Sequence, residues 1–246
     1  QSRPIRDFSW VWGPHPSRAY SLSMARIEDA TIKPTKIELI TAWLPTQPWF
    51  AGEPAGAKIV GSYRFDDPEG EVGVEVMLVR TPGAEAATWQ VPLSYRAAPL
   101  ADGEEFFITK MEHSVLGPRW IYNAIGDPVY RTELARVIAQ AGTNVPEFVN
   151  GPEGLVERTL KTLVQGSGIA EQAVPELFAA EVIDASDVDG AAVVDTGLAR
   201  LIVTRKVGGR ALATTLSGSA HGHLSGHWPG QDEPQPLAAL TVGVRA

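Results

Sequence analysis

Three histidines near the carboxyl end, His221-x-His223-x3-His227, form the sharpest chemical pattern in the chain. Residues two apart on a strand share a face, so His221 and His223 can address one ion. His227 follows after a Leu-Ser-Gly turn, and three imidazoles plus water make a recognised zinc geometry. This spacing raises a metal site as one alternative; the other is a polar, solvent-facing strand end rich in Gly and Ser. Glu112-His113 sets a carboxylate beside an imidazole, a pair suited to proton transfer. Adjacent strand residues face opposite sides, however, so structural roles are expected for both. Trp43, Trp49, Phe50, Trp120 and Tyr122 supply faces on which pyranose rings stack, as well as side chains typical of protein interfaces. Trp43 and Phe50 are expected to anchor a helix to a sheet, leaving Trp49, Trp120 and Tyr122 as the candidate binding platform. Asp66, Asp67, Glu69 and Glu71 crowd one turn without the spacing of a calcium loop, and a solvated turn is expected.

The elements that hold these residues follow from periodicity. Ile37, Leu39, Ile40, Trp43 and Leu44 recur at helical spacing after Pro34-Thr35, and Pro45 ends that helix. Lys58–Phe65 reads as a strand, closed by the turn Asp66-Asp-Pro-Glu-Gly70. Val72, Val74, Val76 and Leu78 give the next strand one apolar side. Thr88–Arg96 is a third strand, and its Pro92 marks an edge or a bulge. Phe106–Leu116 is the fourth, with Arg119–Asn123 extending the sheet. Short turns join these strands, so an antiparallel meander is expected. Asp127 then caps a helix that has Pro128 in its first turn, Tyr130, Leu134, Val137, Ile138 and Ala141 as its stripe, and Gly142 past its end.

Beyond residue 142 the chain turns Gly- and Pro-rich. Leu155–Val164 fits a helix or a strand equally. Asp184–Gly190 reads as an acidic loop. Val193-Val-Asp, Ala199–Val207, Ala211–Gly218 and Leu237–Val244 read as strands. The expected fold class is α+β: a curved antiparallel meander packed by helices, followed by a second β-rich portion. The expected division is an amino-terminal extension over 1–23, an α+β domain over 24–142 and a β-rich sub-domain over 143–246, the last possibly continuous with the second. The extension has no clear period, and its Trp10 and Trp12 suit an aromatic arm.

Composition narrows the function. The 246 residues carry a formal charge of −8 and no cysteine. An acidic chain is a poor general binder of nucleic acid or anionic membrane, and neither is expected as a partner. Absent cysteine excludes disulfides and thiolate metal sites and fits a cytoplasmic location. No apolar run approaches the ~20 residues that span a bilayer. The first 23 residues hold Arg3, Arg6 and Arg18 but no apolar core of a secretory signal.

Three short segments carry a resemblance. Trp43-Leu-Pro-Thr-Gln-Pro-Trp-Phe-Ala-Gly52, Gln90-Val-Pro-Leu93 and Tyr122-Asn-Ala-Ile-Gly-Asp-Pro128 resemble, in that order, signatures of the N-terminal cap domain of bacterial maltokinases. In that family W-L-P-x-Q-x-W-F-x-G follows the first helix and Y-D-A-x-x-D-P precedes a later one. More particularly, the chain resembles small stand-alone actinobacterial proteins with a maltokinase cap-like domain, a group often labelled 1,4-alpha-glucan branching protein. The resemblance implies a curved sheet against helices, somewhat like a cystatin fold. It also implies a place in trehalose, maltose-1-phosphate and α-glucan (glycogen) metabolism. The departures are informative. Ala51-Gly52-Glu53 stands where the family has Gly-Gly-Lys or similar. No kinase catalytic loop with its Asp base and Asn metal ligand is present, and no G-x-x-x-x-G-K-[ST] loop. His221-Gly-His223 lacks the aspartate of the His-Gly-Asp found in aminoglycoside-kinase-like enzymes. A branching enzyme needs two carboxylates across a sugar cleft, usually in a large barrel. The leading expectation is a non-catalytic module without cofactor that binds a glucan or a maltose-pathway enzyme. The alternatives are a metal-dependent enzyme built on His221, His223 and His227, and a small-ligand carrier in the concavity of the sheet.

Overall fold

The computed structural model describes residues 25–27, 31–151, 154–182, 184–188, 190–209, 212 and 221–243. The extension 1–23, with Trp10 and Trp12, lies outside them. So does the strand expected at Ala211–Gly218, save Leu212, which is helical and buried. In chain order the elements are β1 (Ala25–Ile27), β2 (Ile32–Lys33), α1 (Lys36–Trp43), β3 (Lys58–Asp66), β4 (Gly73–Arg80), β5 (Thr88–Arg96), β6 (Phe107–His113), β7 (Gly117–Asn123) and α2 (Pro128–Ala139). Then follow β8 (Glu147–Gly151), β9 (Gly154–Arg158), β10 (Leu163–Gly166), β11 (Asp184–Val188), β12 (Ala191–Asp195), β13 (Ala199–Thr204), β14 (Gly222–Trp228) and β15 (Gln231–Val242).

The protein is α+β and dominated by antiparallel sheet, with a strongly curled half-barrel and a second β-rich portion. One six-stranded sheet has the order β2-β6-β7-β5-β4-β3, the other β10-β14-β15-β13-β12-β11. A small third sheet joins β1, β8 and β9, with β1 parallel to β8. Among the described residues no helix is long and apolar enough to cross a membrane.

The first sheet departs from a simple meander. β3, β4 and β5 run on as expected, but β5 pairs with β7, which places β6 outside it. The connection 97–106 passes β7 before β6 begins, and the Leu100 N–H donates to the Tyr122 hydroxyl at 2.9 Å, tying that connection to β7. Pro92 sits inside a central strand for a definable reason. The Gln90 N–H points away from β4 and reaches the Arg205 carbonyl, so the nitrogen of residue 92 points the same way. The β7 ladder begins only at Leu93, so Pro92 falls where β5 has no neighbour to donate to.

Alternation along the strands gives this sheet two buried faces. Met77, Val79, Val91, Leu93, Met111 and Ile121 meet Leu39, Ile40 and Leu44 of the α1 segment. Tyr63, Phe65, Val74, Val76 and Leu78 face the other way, toward α2 and the second sheet. That second core is completed by Leu201, Val203, Leu224 and Leu240.

Both helices start where the sequence says. Thr35 and Glu38 form a reciprocal capping box on α1. Asp127 caps α2 through the Val129 N–H at 3.0 Å and takes a two-point ion pair from Arg96 at 2.7 Å on each oxygen. Nine of the twelve residues of α2 are buried, so this is a central helix and not a surface one. Its end differs in detail from the expectation: Ala141, and not Gly142, takes the left-handed conformation at φ 52°. The last carbonyls of α2 are satisfied by a Gly-Ser-Gly segment. Gly142 donates to Val137, Gly168 to Ile138 and Ile169 to Ala139. A Cβ on Gly166 or Gly168 would lie 1.9 Å from a helix carbonyl oxygen, so only glycine permits this approach.

Two further expectations are corrected. Asp184–Val188 is a strand paired with β12 and not an acidic loop, and Gly190, just before β12, has φ 79°. Leu155–Val164 resolves into the end of β9 and the start of β10.

The two large sheets are joined at one buried amide. Gln90 is fully buried; its carbonyl accepts from the Tyr63 hydroxyl, and its NH₂ donates to Thr204 O and Leu237 O at 2.9 and 3.0 Å. Gln90→Leu keeps the volume but strands a hydroxyl and two carbonyls. A loss of roughly 2–4 kcal/mol in urea unfolding is expected, with Tyr63→Phe in the same chain recovering part of it.

Candidate functional site

The segment after α1 is a tight aromatic knot. Leu44–Thr46 form a single 3₁₀ turn, and Leu44 is fully buried. Gln47 N–H closes onto Leu44 O and Phe50 N–H onto Gln47 O. Trp49 meets Trp43 edge-on at 5.9 Å and Trp89 at 6.0 Å, while Phe50 lies 4.8 Å from Trp89. Trp43 and Phe50 anchor the helix as expected. Trp49 joins them and is only partly exposed, with its indole Nε1 buried.

Trp120 and Tyr122 lie elsewhere. The register pairs Trp120 with Arg96 and Tyr122 with Ser94, on the α2 side of the sheet. Trp49 packs on Trp89, which belongs to the α1 side with Val91 and Leu93. The three candidate platform residues are therefore divided between opposite faces and share no surface. Tyr122 is buried, its hydroxyl spent on Leu100 and its ring held edge-on to Phe107 at 5.5 Å. Trp120 carries the Lys110 ammonium 4.8 Å above its ring.

What the two motif segments do share is a groove of about 440 Å³ between α1 and the start of β6. Trp43 and Gln47 from the first and Asn123 from the second line it, together with Glu38, Glu105 and Phe107. Glu38 is held below the usual carboxylate range by the Thr35 backbone amide and then by its hydroxyl. Among the described residues the groove is lined by two carboxylates and no lysine or arginine, with Lys33 near enough to act on Glu38.

Arg205, which periodicity does not single out, braces both walls. Only 1% of it is exposed. Its guanidinium lies 4.7 Å over the Trp49 ring and donates to Asp187 at 3.1 Å. It also donates to the Asn123 side-chain oxygen at 3.4 and 3.5 Å. Burial pushes its pKa down, opposed by the charge of Asp187. The neighbouring backbone continues the brace: Val207 N–H donates to Thr88 O, and the Lys206 ammonium sits 5.8 Å over Trp89.

The histidines are not gathered. On β14, Gly222, Leu224, Gly226 and Trp228 point inward, while His223, Ser225 and His227 share the other face. His223 and His227 stand four residues apart, about 13 Å along a strand. His221 precedes the strand, and its Nδ1 accepts the Val242 N–H at 2.9 Å. Among the described residues no group of three or more His, Asp or Glu side chains is placed to hold a metal ion. Glu112 and His113 do not meet either; His113 Nδ1 accepts the Val115 and Leu116 N–H groups of the turn. In the acidic turn Asp67 is buried, not solvated, because its carboxylate accepts from Glu69, Glu71 and Val72 N–H groups. Helix α2 packs against β3, β10, β14 and β15.

Comparison with known families falls on the groove-forming stretch. Residues 43–127 match the maltokinase N-terminal cap domain. None of the curated proteins matches the chain. The cap match opens at Trp43, crosses β3 to β7 and closes at Asp127, the cap of α2. Most of the groove lies inside the cap stretch, whereas its brace, Arg205, lies far outside it.

Arg205→Ala removes a buried stem and a cation from the face of Trp49. A loss of roughly 2–4 kcal/mol and a red-shifted tryptophan emission are expected. Asp187→Asn keeps an acceptor but removes the charge that faces a buried guanidinium, so a loss of roughly 1–3 kcal/mol is expected in the same urea titration.

Proposed function

We propose that the chain is a non-catalytic module of maltose, trehalose and α-glucan metabolism that holds a glucan or a partner enzyme of that metabolism. The match of residues 43–127 to the maltokinase N-terminal cap domain carries this reading. The groove supports it, since residues of both motif segments of the cap line it. The sequence supports a binding role over phosphoryl transfer, for it contains neither a phosphate-cradling G-x-x-x-x-G-K-[ST] loop nor a catalytic loop pairing an Asp base with an Asn metal ligand. An absence of cysteine is in keeping with work in the cytoplasm.

Two measurements test it together. Purified chain with ATP, Mg²⁺ and maltose should release ADP no faster than without maltose. Immobilised chain should retain glycogen, or at least one of maltokinase, trehalose synthase and a glucan-building enzyme. Maltose-dependent ATP consumption, or retention of none of these, overturns the proposal.

A further inference from the structure

Resting on that reading, we infer that the groove between α1 and β6 is a subsite for a neutral α-glucan chain and rejects phosphorylated sugars. Its volume of about 440 Å³ lies within the roughly 300–1,000 Å³ of small-molecule sites. The α1 wall offers the ring of Trp43, and the β6 wall adds Ile108 and Thr109. An aromatic ring suits the C–H face of a pyranose.

Polar groups line the same groove. Gln47 and Asn123 both donate and accept, Thr109 adds a hydroxyl, and Glu38 and Glu105 accept. That mixture matches vicinal hydroxyls, each of which gives one hydrogen bond and takes others. Several of these groups are pre-positioned: Glu38 by Thr35, Gln47 by the Thr46 hydroxyl and Asn123 by Arg205. Orientation fixed in advance lowers the ordering cost of binding. The two lining carboxylates, only one of them offset by a nearby Lys33, disfavour a phosphate and leave a neutral chain as the better occupant.

Calorimetry with maltoheptaose and with glucose 1-phosphate tests this on the full chain. Maltoheptaose should bind and alter tryptophan emission, and glucose 1-phosphate should not bind. Gln47→Ala and Thr109→Ala, both at partly exposed lining positions, should weaken maltoheptaose roughly five- to tenfold with an unchanged melting temperature. Leu155→Ala, on exposed β9, should leave binding unaltered. The double variant Glu38→Gln, Glu105→Gln should gain measurable glucose 1-phosphate binding. If maltoheptaose binds the groove variants as tightly as the parent, the subsite is elsewhere and only the module reading survives. If the parent ignores maltoheptaose yet still retains a pathway enzyme, the subsite is refuted and the partner-binding arm stands. Equal binding of glucose 1-phosphate by the parent overturns the charge argument.

Discussion

The joint between Gln90 and the Thr204–Val207 segment is the constraint on which the architecture turns. Two six-stranded sheets have to pack around one helix, and shape alone does not set their relative register. A fully buried side-chain amide with three partners does, because each partner left unsatisfied in a dry interior is costly. One residue along, Arg205 carries the same joint outward to the aromatic knot and to Asn123. Core register and groove shape are thus set at neighbouring points of a single strand end.

This arrangement explains why the groove cannot be understood from the cap stretch alone. Its walls are local products of α1, the 3₁₀ turn and β6, but the side chain that holds Trp49 and Asn123 arrives from the second portion of the chain. Trp49 illustrates the point. Flanked by prolines and lying near a glycine, it has the sequence surroundings of an exposed binding residue. Its ring is instead clamped between Trp43, Trp89 and a buried guanidinium, a neighbour more than 150 residues away.

Local chemistry was legible. The Thr35 and Asp127 caps, the Pro45 stop and the alternating strand β4 are each encoded within a few residues, and each stands where periodicity puts it. The aromatic-proline segments pointed correctly to the cap family. What failed depends on pairing at a distance. The exchange of β6 and β7 is decided by where a connection crosses and by a hydroxyl that catches Leu100, and neither leaves a periodic trace. β11 looks acidic and loop-like because its strand character comes from the hairpin with β12. Trp49 stands on the other face from Trp120 and Tyr122 because the parity of a strand, not closeness in sequence, decides the face. The histidines lie apart because a strand that puts alternate residues on one face also spreads them along it.

The nearly complete enclosure of α2 bears on how the chain matures. Much of its covering comes from β14 and β15, more than 80 residues further along the chain. Until they arrive, Leu134, Val137 and Ile138 have only half their packing partners. During synthesis a greasy seam therefore stays open along the helix until β14 and β15 have emerged, and those two strands act as its latch.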